Sequence, residues 1–142
     1  MTTIRVVEHY PYAPETVWNE LRAIERHVTW MADARSLEFT SDQREGVGTS
    51  FRVHTAVGPL RTSDLMTITH WNPPRSMSVE HRGLITGSGQ FTLVADPAGT
   101  ELTWEERLRF PWWYGGELGA KAAAPVLRRI WRANLRRLSE RL

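Results

Sequence analysis

Apolar and polar residues alternate with a period of two through the middle of the chain, from Ser36 to Phe110. This alternation is typical of strands that bury one face. It falls into six segments of strand length, at residues 37–41, 49–56, 60–71, 76–82, 87–95 and 100–110. Glycine, proline, asparagine and aspartate separate the segments, and connections this short predict an antiparallel meander.

The two ends of the chain carry different patterns. Residues 4–10 are rich in β-branched and aromatic side chains and stop at Pro11, which predicts a first strand. Pro14 and Glu15 then precede apolar residues at helical spacing, so a short helix is expected from Pro14 and a second helical turn at 25–30. After Gly116 the pattern is that of a long amphipathic helix.

This order of elements, a strand, two short helices, six strands and a long helix, is that of an α+β protein, because the helices stand outside the connections of the sheet. We expect a strongly curved antiparallel sheet of about seven strands that grips the long C-terminal helix, the arrangement called a helix-grip fold. No repeat or linker divides the 142 residues, so the prediction is one domain spanning 1–142.

Composition excludes several classes of protein. The formal net charge is only +2, which gives little support to nucleic-acid binding. No run of about 18 apolar residues is present, and the first residues lack the apolar core of a secretory signal, so we expect a cytoplasmic protein without stable membrane insertion. The absence of cysteine excludes disulfides and thiolate metal ligands. The oligomeric state leaves no mark on the sequence.

Arginines crowd the final helix on the side opposite its apolar residues: Arg128, Arg129, Arg132, Arg136, Arg137 and Arg141. A solvated helix face is the simplest interpretation of such a pattern. Contact with an acidic partner or with a membrane surface is the alternative.

Several short motifs resemble those of the START-like, or Bet v 1-like (SRPBCC), superfamily, and within it the bacterial polyketide cyclase/dehydratase-like group. They are Ala13-Pro14-Glu15-Thr16-Val17-Trp18, Trp30, Trp71-Asn72-Pro73-Pro74-Arg75, and Gly99-Thr100-Glu101-Leu102-Thr103-Trp104-Glu105-Glu106, followed by the amphipathic helix. The resemblance covers nearly the whole chain. It implies a helix-grip fold with an internal cavity, and it does not specify an activity, because proteins of this kind include aromatase/cyclases, lyases and lipid carriers.

The last predicted strand contains the best candidate for acid–base chemistry. Leu102, Trp104, Glu106 and Leu108 share one face, which predicts that Glu106 is a carboxylate among apolar side chains. Burial of that kind can adapt a carboxyl group to proton transfer. A purely structural hydrogen bond to an arginine or to backbone groups is the competing interpretation.

Two further residues complete the catalytic hypothesis. His81 lies on the apolar side of its strand and could relay a proton, although a strand-end residue satisfied by water has the same pattern. Asp64 shares a face with Met66 and Ile68, but the inward face of that long strand is ambiguous. An exposed cross-strand salt bridge is the more frequent role for such an aspartate. If it faced inward, Asp64 could pair with Glu106 or a histidine.

The predicted wall of the cavity is aromatic and aliphatic: Trp30, Phe51, Met66, Met77, Val79, Phe91, Trp104, Leu108, Trp112, Trp113, Leu127 and Trp131. Rigid aromatic faces suit flat or ring-bearing ligands. The segment 111–119, with glycines beside two tryptophans, forms either a mobile lid or a fixed corner. No pair of ligands stands at metal-binding spacing and no phosphate-binding loop opens a helix, so neither a metal nor another cofactor is expected.

Two functions follow from these features. The first is a protein that binds a small hydrophobic, aromatic or polyketide-like molecule in its cavity and promotes its cyclisation or dehydration by positioning it beside acid–base groups. The second is a non-enzymatic carrier or sensor of a lipid or another hydrophobic metabolite. Whether the chain is an enzyme is left open by the sequence.

Overall fold

A computed structural model describes all residues from Met1 to Leu142. Its strands are β1 (Thr2–Tyr10), β2 (Ala34–Phe39), β3 (Ser50–Val57), β4 (Leu60–Asn72), β5 (Ser76–Arg82), β6 (Thr86–Asp96) and β7 (Gly99–Arg109). Its helices are α1 (Pro14–Leu21), α2 (His27–Trp30) and α3 (Gly116–Ser139), with 3-10 turns at Ile24–Arg26 and Trp112–Tyr114. The predicted helix-grip architecture and its element order are confirmed.

The seven strands form one antiparallel sheet in the order β1-β7-β6-β5-β4-β3-β2. Every neighbouring pair except β1 and β7 is consecutive in sequence, as expected for a meander. Strand β2 begins at Ala34 and ends at Phe39, whereas the sequence predicted 37–41. The predicted strand begins three residues too late. Its true start, Ala34, pairs with Thr55 ahead of a bulge, in a stretch that shows no apolar alternation.

Strand β4 changes its inward face part of the way along. Asp64 and Ile68 are buried, but after a bulge between Ile68 and His70 it is Trp71 that packs against the core. A bulge inserts one residue and moves all the following side chains to the other face. A single period of two therefore cannot describe this strand, and this is why its inward face was ambiguous.

Helix α3 lies against β1 and β7, at one side of the concave face of the sheet. Tyr10 of β1 donates a hydrogen bond to the carbonyl oxygen of Leu135, at 2.6 Å. Burial, and the nearby charge of Glu8, raise the pKa of this phenol, so it stays a donor. Because α3 covers the β1–β7 side of the sheet, the concave face over β3, β4 and β5 is left without a covering helix.

A buried polar network joins α3 to the loop between α2 and β2. Asn134 is fully buried, accepts a hydrogen bond from the Ala32 backbone N–H at 3.0 Å and donates one to Asp33 at 2.8 Å. The indole of Trp131 donates to the same Asp33 carboxylate at 3.2 Å. These bonds fix the rotation of α3 about its axis, because a turned helix would leave several buried polar groups without partners.

Three of the helix arginines have partners within the protein, and one of these pairs is Arg136 with Glu8 of β1, at 3.9 Å. Arg137 donates to the Trp30 carbonyl oxygen at 3.2 Å, and Arg141 donates to the buried Glu20 of α1 at 2.9 Å. The interpretation of these arginines as a solvated face therefore holds for only part of the set. No helix in the chain combines the length and the hydropathy needed to cross a membrane.

Replacing Asn134 with leucine should destabilise the protein by about 2 kcal/mol or more. The leucine has nearly the same volume, but it removes the hydrogen-bond partner of the Ala32 N–H and that of Asp33 Oδ1, and each such loss costs about 1–3 kcal/mol. Urea unfolding of N134L measures the difference. The exposed Arg132→Ala on the same helix is the control, expected to change stability by at most about 0.5 kcal/mol.

Candidate functional site

The concave face of the sheet and α3 enclose a cavity of about 200 Å³, in which 20 of the 29 lining residues are hydrophobic. An apolar cavity of about 150 Å³ is already large enough to accept benzene. The cavity therefore has room for a small ring-bearing molecule, and its walls favour an apolar one.

The cavity reaches the surface between the β3–β4 turn and the first half of α3. Val57 and Leu60, on either side of that turn, belong to its lining. Val126 of α3 also lines it and is 53% exposed to solvent. These residues mark a mouth that is itself apolar, so a ligand could enter without crossing a ring of charges.

Inside the cavity, a histidine and a carboxylate form a buried ion pair. Nε2 of His81 on β5 lies 2.7 Å from Oε2 of Glu106 on β7. The second carboxylate oxygen of Glu106 accepts a hydrogen bond from the Trp104 indole at 2.9 Å. Both Glu106 oxygens are thus held by N–H donors, which fixes the carboxylate and, through it, the imidazole ring.

The pair exists because the strand between its members carries no side chain at the crossing point. Strand β6 separates β5 from β7, so the two backbones are about 9.6 Å apart, twice the usual strand spacing. Gly89 of β6 stands opposite Glu106 in the sheet register. A Cβ atom at Gly89 would lie 2.5–2.7 Å from the Glu106 carboxylate, so any other residue would push that group out of its present position.

The charge of Glu106 determines the protonation of His81. Burial alone would lower the pKa of the imidazole, but the Glu106 charge, its hydrogen bond and the Asp64 charge outweigh burial, so the pKa of His81 is raised. The imidazolium therefore persists to higher pH than that of an unperturbed histidine. Because Nε2 is used by Glu106, Nδ1 is the atom from which a proton could reach a ligand.

Asp64 is buried in the cavity wall, contrary to the exposed salt bridge that its residue type favoured. It is 7% exposed and forms no ion pair, its only hydrogen bond being a long one of 3.3 Å from the Thr62 hydroxyl to Oδ2. Burial raises its pKa, and His81, Thr62 and Arg52 partly oppose that shift. Asp64 lies before the bulge in β4 and therefore shares the inward face of Ile68, whereas the residues after the bulge do not.

The structure places most of the predicted site residues around one space. Those that line the cavity are Glu106, His81, Asp64, Phe51, Met66, Met77, Val79, Phe91, Trp104, Leu108, Leu127 and Trp131. Trp104 and Trp131 stack with ring centroids 5.0 Å apart and an angle of 19° between their planes. Together with Phe91, whose centroid is 5.1 Å from that of Trp104, they form a rigid aromatic wall.

Three predicted wall residues lie elsewhere, and the prediction is corrected for them. Trp30 is fully buried and packs edge-on against Phe91 and Trp104, outside the cavity lining, where it supports the aromatic wall. Trp112 and Trp113 are 87% and 60% exposed, because the 3-10 turn between β7 and α3 directs them to the surface.

Sequence reasoning missed five polar residues of the lining, of which His27 and Asp33 are titratable. Nε2 of His27 lies 2.7 Å from the Leu21 carbonyl oxygen, and burial lowers the pKa of this imidazole, so the ring is neutral. Both residues come from the irregular α2–β2 region, where no period indicates an inward face. The buried Asn134 on the apolar face of α3 was the available signal, because a buried amide needs a polar partner.

No cluster of three or more histidine and acidic side chains has the arrangement of a metal site. What the arrangement supplies is one imidazole held by a carboxylate, carboxyl groups without an ion-pair partner and an apolar, aromatic enclosure.

The family model described as "Polyketide cyclase / dehydrase and lipid transport" matches residues 1–142. Among solved structures, TTHA0849 from Thermus thermophilus is 19% identical with a TM-score of 0.81, over 99% of this chain and 96% of that one. A comparison with curated proteins gives no match.

Two similar structures carry a described activity. The ZhuI aromatase/cyclase from Streptomyces sp. R1128 is 17% identical with a TM-score of 0.73, over 99% of this chain and 92% of that one. The di-domain ARO/CYC StfQ of the steffimycin biosynthetic pathway is 13% identical with a TM-score of 0.79, over 97% of this chain and 49% of that one. At these identities the likeness shows a shared fold.

Replacing Gly89 with alanine should break the His81–Glu106 pair. The added methyl group would displace the Glu106 carboxylate, and without that charge the burial of His81 lowers its pKa below the wild-type value. Titration of the His81 ring by NMR measures the shift. Ser88→Ala, one residue away on the outer face of β6, should leave the pKa unchanged; an unshifted His81 in G89A would show that the pair does not depend on this gap.

Proposed function

Because the chain belongs to the polyketide cyclase/dehydrase and lipid transport family, we propose that its cavity binds a small apolar, ring-bearing or polyketide-like molecule and promotes its cyclisation and dehydration. The observation that supports this is a buried His81–Glu106 pair, 2.7 Å apart, in the wall of an apolar cavity of about 200 Å³. A non-enzymatic carrier does not need a buried ion pair in the wall of its cavity.

The pair has a physical cost that a carrier alone does not require. Taking an ion pair out of water is compensated by its mutual attraction only when the geometry is good, and well-packed apolar residues are often equally stabilising. Here both Glu106 oxygens accept hydrogen bonds, and Gly89 leaves space for the carboxylate beside them. These contacts hold the Glu106 carboxylate in one position. That organisation is what a fixed proton donor requires.

In the proposed reaction, His81 is the catalytic residue and Glu106 its positioning residue. The His81 imidazolium donates a proton from Nδ1 to a ligand carbonyl oxygen while an enol carbon of the same molecule attacks the carbonyl carbon. The new C–C bond closes a ring, and the neutral imidazole recovers a proton from the enol hydroxyl group. Loss of the new hydroxyl group with a neighbouring hydrogen then releases one water. The wall contributes by holding the flexible chain in a folded conformation.

The pH dependence follows from the sign of the His81 shift. The protonated form of His81 is the active one, and its pKa is raised above the usual value of about 6.5. The rate of the proposed cyclisation should therefore be constant at low pH and fall as the pH rises through the His81 pKa. In Glu106→Gln the charge that raises this pKa is absent, and the fall should occur at lower pH.

The first experiment is native mass spectrometry of the purified protein, followed by denaturing extraction and identification of any small molecule. A bound ligand that is converted on incubation supports the enzyme. A ligand that stays unchanged in the presence of the protein points to a carrier, and would remove the catalytic part of the proposal.

With a converted substrate, His81→Gln should lower kcat by about 10²- to 10⁴-fold, the usual size of a general acid contribution. Glu106→Gln should give a smaller loss together with the displaced pH profile. Glu105→Gln, the neighbouring residue on the outer face of β7, is the matched control and should keep both rate and profile. Full turnover in H81Q would contradict the role given to the imidazole.

A further inference from the structure

The charged groups that line the cavity are all acids and histidines. Its three carboxyl groups belong to Asp33, Asp64 and Glu106, its two imidazoles belong to His27 and His81, and no lysine or arginine lines it. The chain contains 18 lysines and arginines, so their absence from this wall is a property of the site and not of the composition.

The two histidines do not balance the three acids. Burial lowers the pKa of His27, which is therefore neutral and already bonded to the Leu21 carbonyl. His81 is paired with Glu106 at 2.7 Å. Two carboxyl groups, those of Asp33 and Asp64, are left without a cation in contact with them.

These two carboxyl groups differ in how they are held. The Asp33 carboxylate accepts hydrogen bonds from Asn134 and Trp131, which are neutral donors. Asp64 is more than nine-tenths buried, and its Oδ1 has no hydrogen-bond partner. A buried carboxylate oxygen without a donor is costly, and a positive charge nearby would lower that cost.

The apolar part of the wall would also tolerate a positive charge. Trp104, Trp131 and Phe91 line the cavity, and aromatic rings attract a cation through their quadrupoles. A carboxylate ligand would be disfavoured, because it would approach the carboxyl groups of Asp33 and Asp64, which have no cation in contact with them, and no arginine or lysine lines the cavity to bind it.

We propose that the cavity selects its ligand by charge, taking a ring-bearing molecule with a protonated amine in preference to the neutral alcohol or the carboxylate of the same skeleton. This inference rests on the proposed binding function and specifies its substrate class. Asp64 is the residue expected to face the ammonium group, because it is the carboxyl group with the fewest partners.

The test uses three probes of one skeleton: 1-naphthylmethylamine, 1-naphthylmethanol and 1-naphthoic acid. Binding to the whole chain at neutral pH is measured by calorimetry and by quenching of tryptophan fluorescence, since Trp104 and Trp131 line the cavity. The amine should bind at least about tenfold more tightly than the alcohol and about a hundredfold more tightly than the acid, as expected of partly desolvated charges.

Asp64→Asn should reduce the preference for the amine over the alcohol to about threefold or less, because it removes the charge and keeps the shape. Glu80→Gln is the matched control: it converts an acid to an amide on the exposed side of β5, and should leave the preference intact.

If all three probes bind equally, or if D64N keeps the full preference for the amine, the charge selection is wrong while ligand binding stands. If none of the three binds, the binding function itself fails for ligands of this size, and the inference fails with it.

Discussion

A sheet with one apolar face must cover that face, and in this chain α3 is the only element long enough to do so. Helix α3 packs on β1 and β7, where Tyr10 holds it, and the bonds to Ala32 and Asp33 fix its rotation. The cavity is the space that this off-centre position leaves over β3, β4 and β5. Its existence thus follows from how the helix is fixed, and its chemistry from what the uncovered strands carry inward.

Much of the fold could be predicted from periodicity, because most strands alternate cleanly and their turns contain glycine or proline. The inward placement of Glu106 followed from its apolar neighbours on the same face of one strand. Asp64 was harder, because a bulge in β4 shifts the pattern in a way that no period of two reveals. Trp112 and Trp113 show the opposite failure, since large aromatic residues are expected inside and a short 3-10 turn directs them outward.

The partnership of His81 with Glu106 could not be read from the sequence, because the two residues lie on strands that do not pair with each other. Their contact depends on a third position that carries no side chain at all, Gly89. Sequence patterns report which residues face inward, but they do not report which of those residues reach each other across an intervening strand. The distinction between a solitary buried acid and an organised acid–histidine pair needed the register of β5, β6 and β7.

The gap at Gly89 has a consequence for reading related sequences. A residue with any side chain at this position is incompatible with a carboxylate held as Glu106 is held, so the three positions 81, 89 and 106 form a signature that can be recognised by alignment. Relatives that have histidine, glycine and glutamate there can form the same buried histidine–carboxylate pair. Relatives that fill the glycine position must use their cavity in another way, even where the fold is the same. The residue at position 89 can therefore separate members of a family that share the same overall fold.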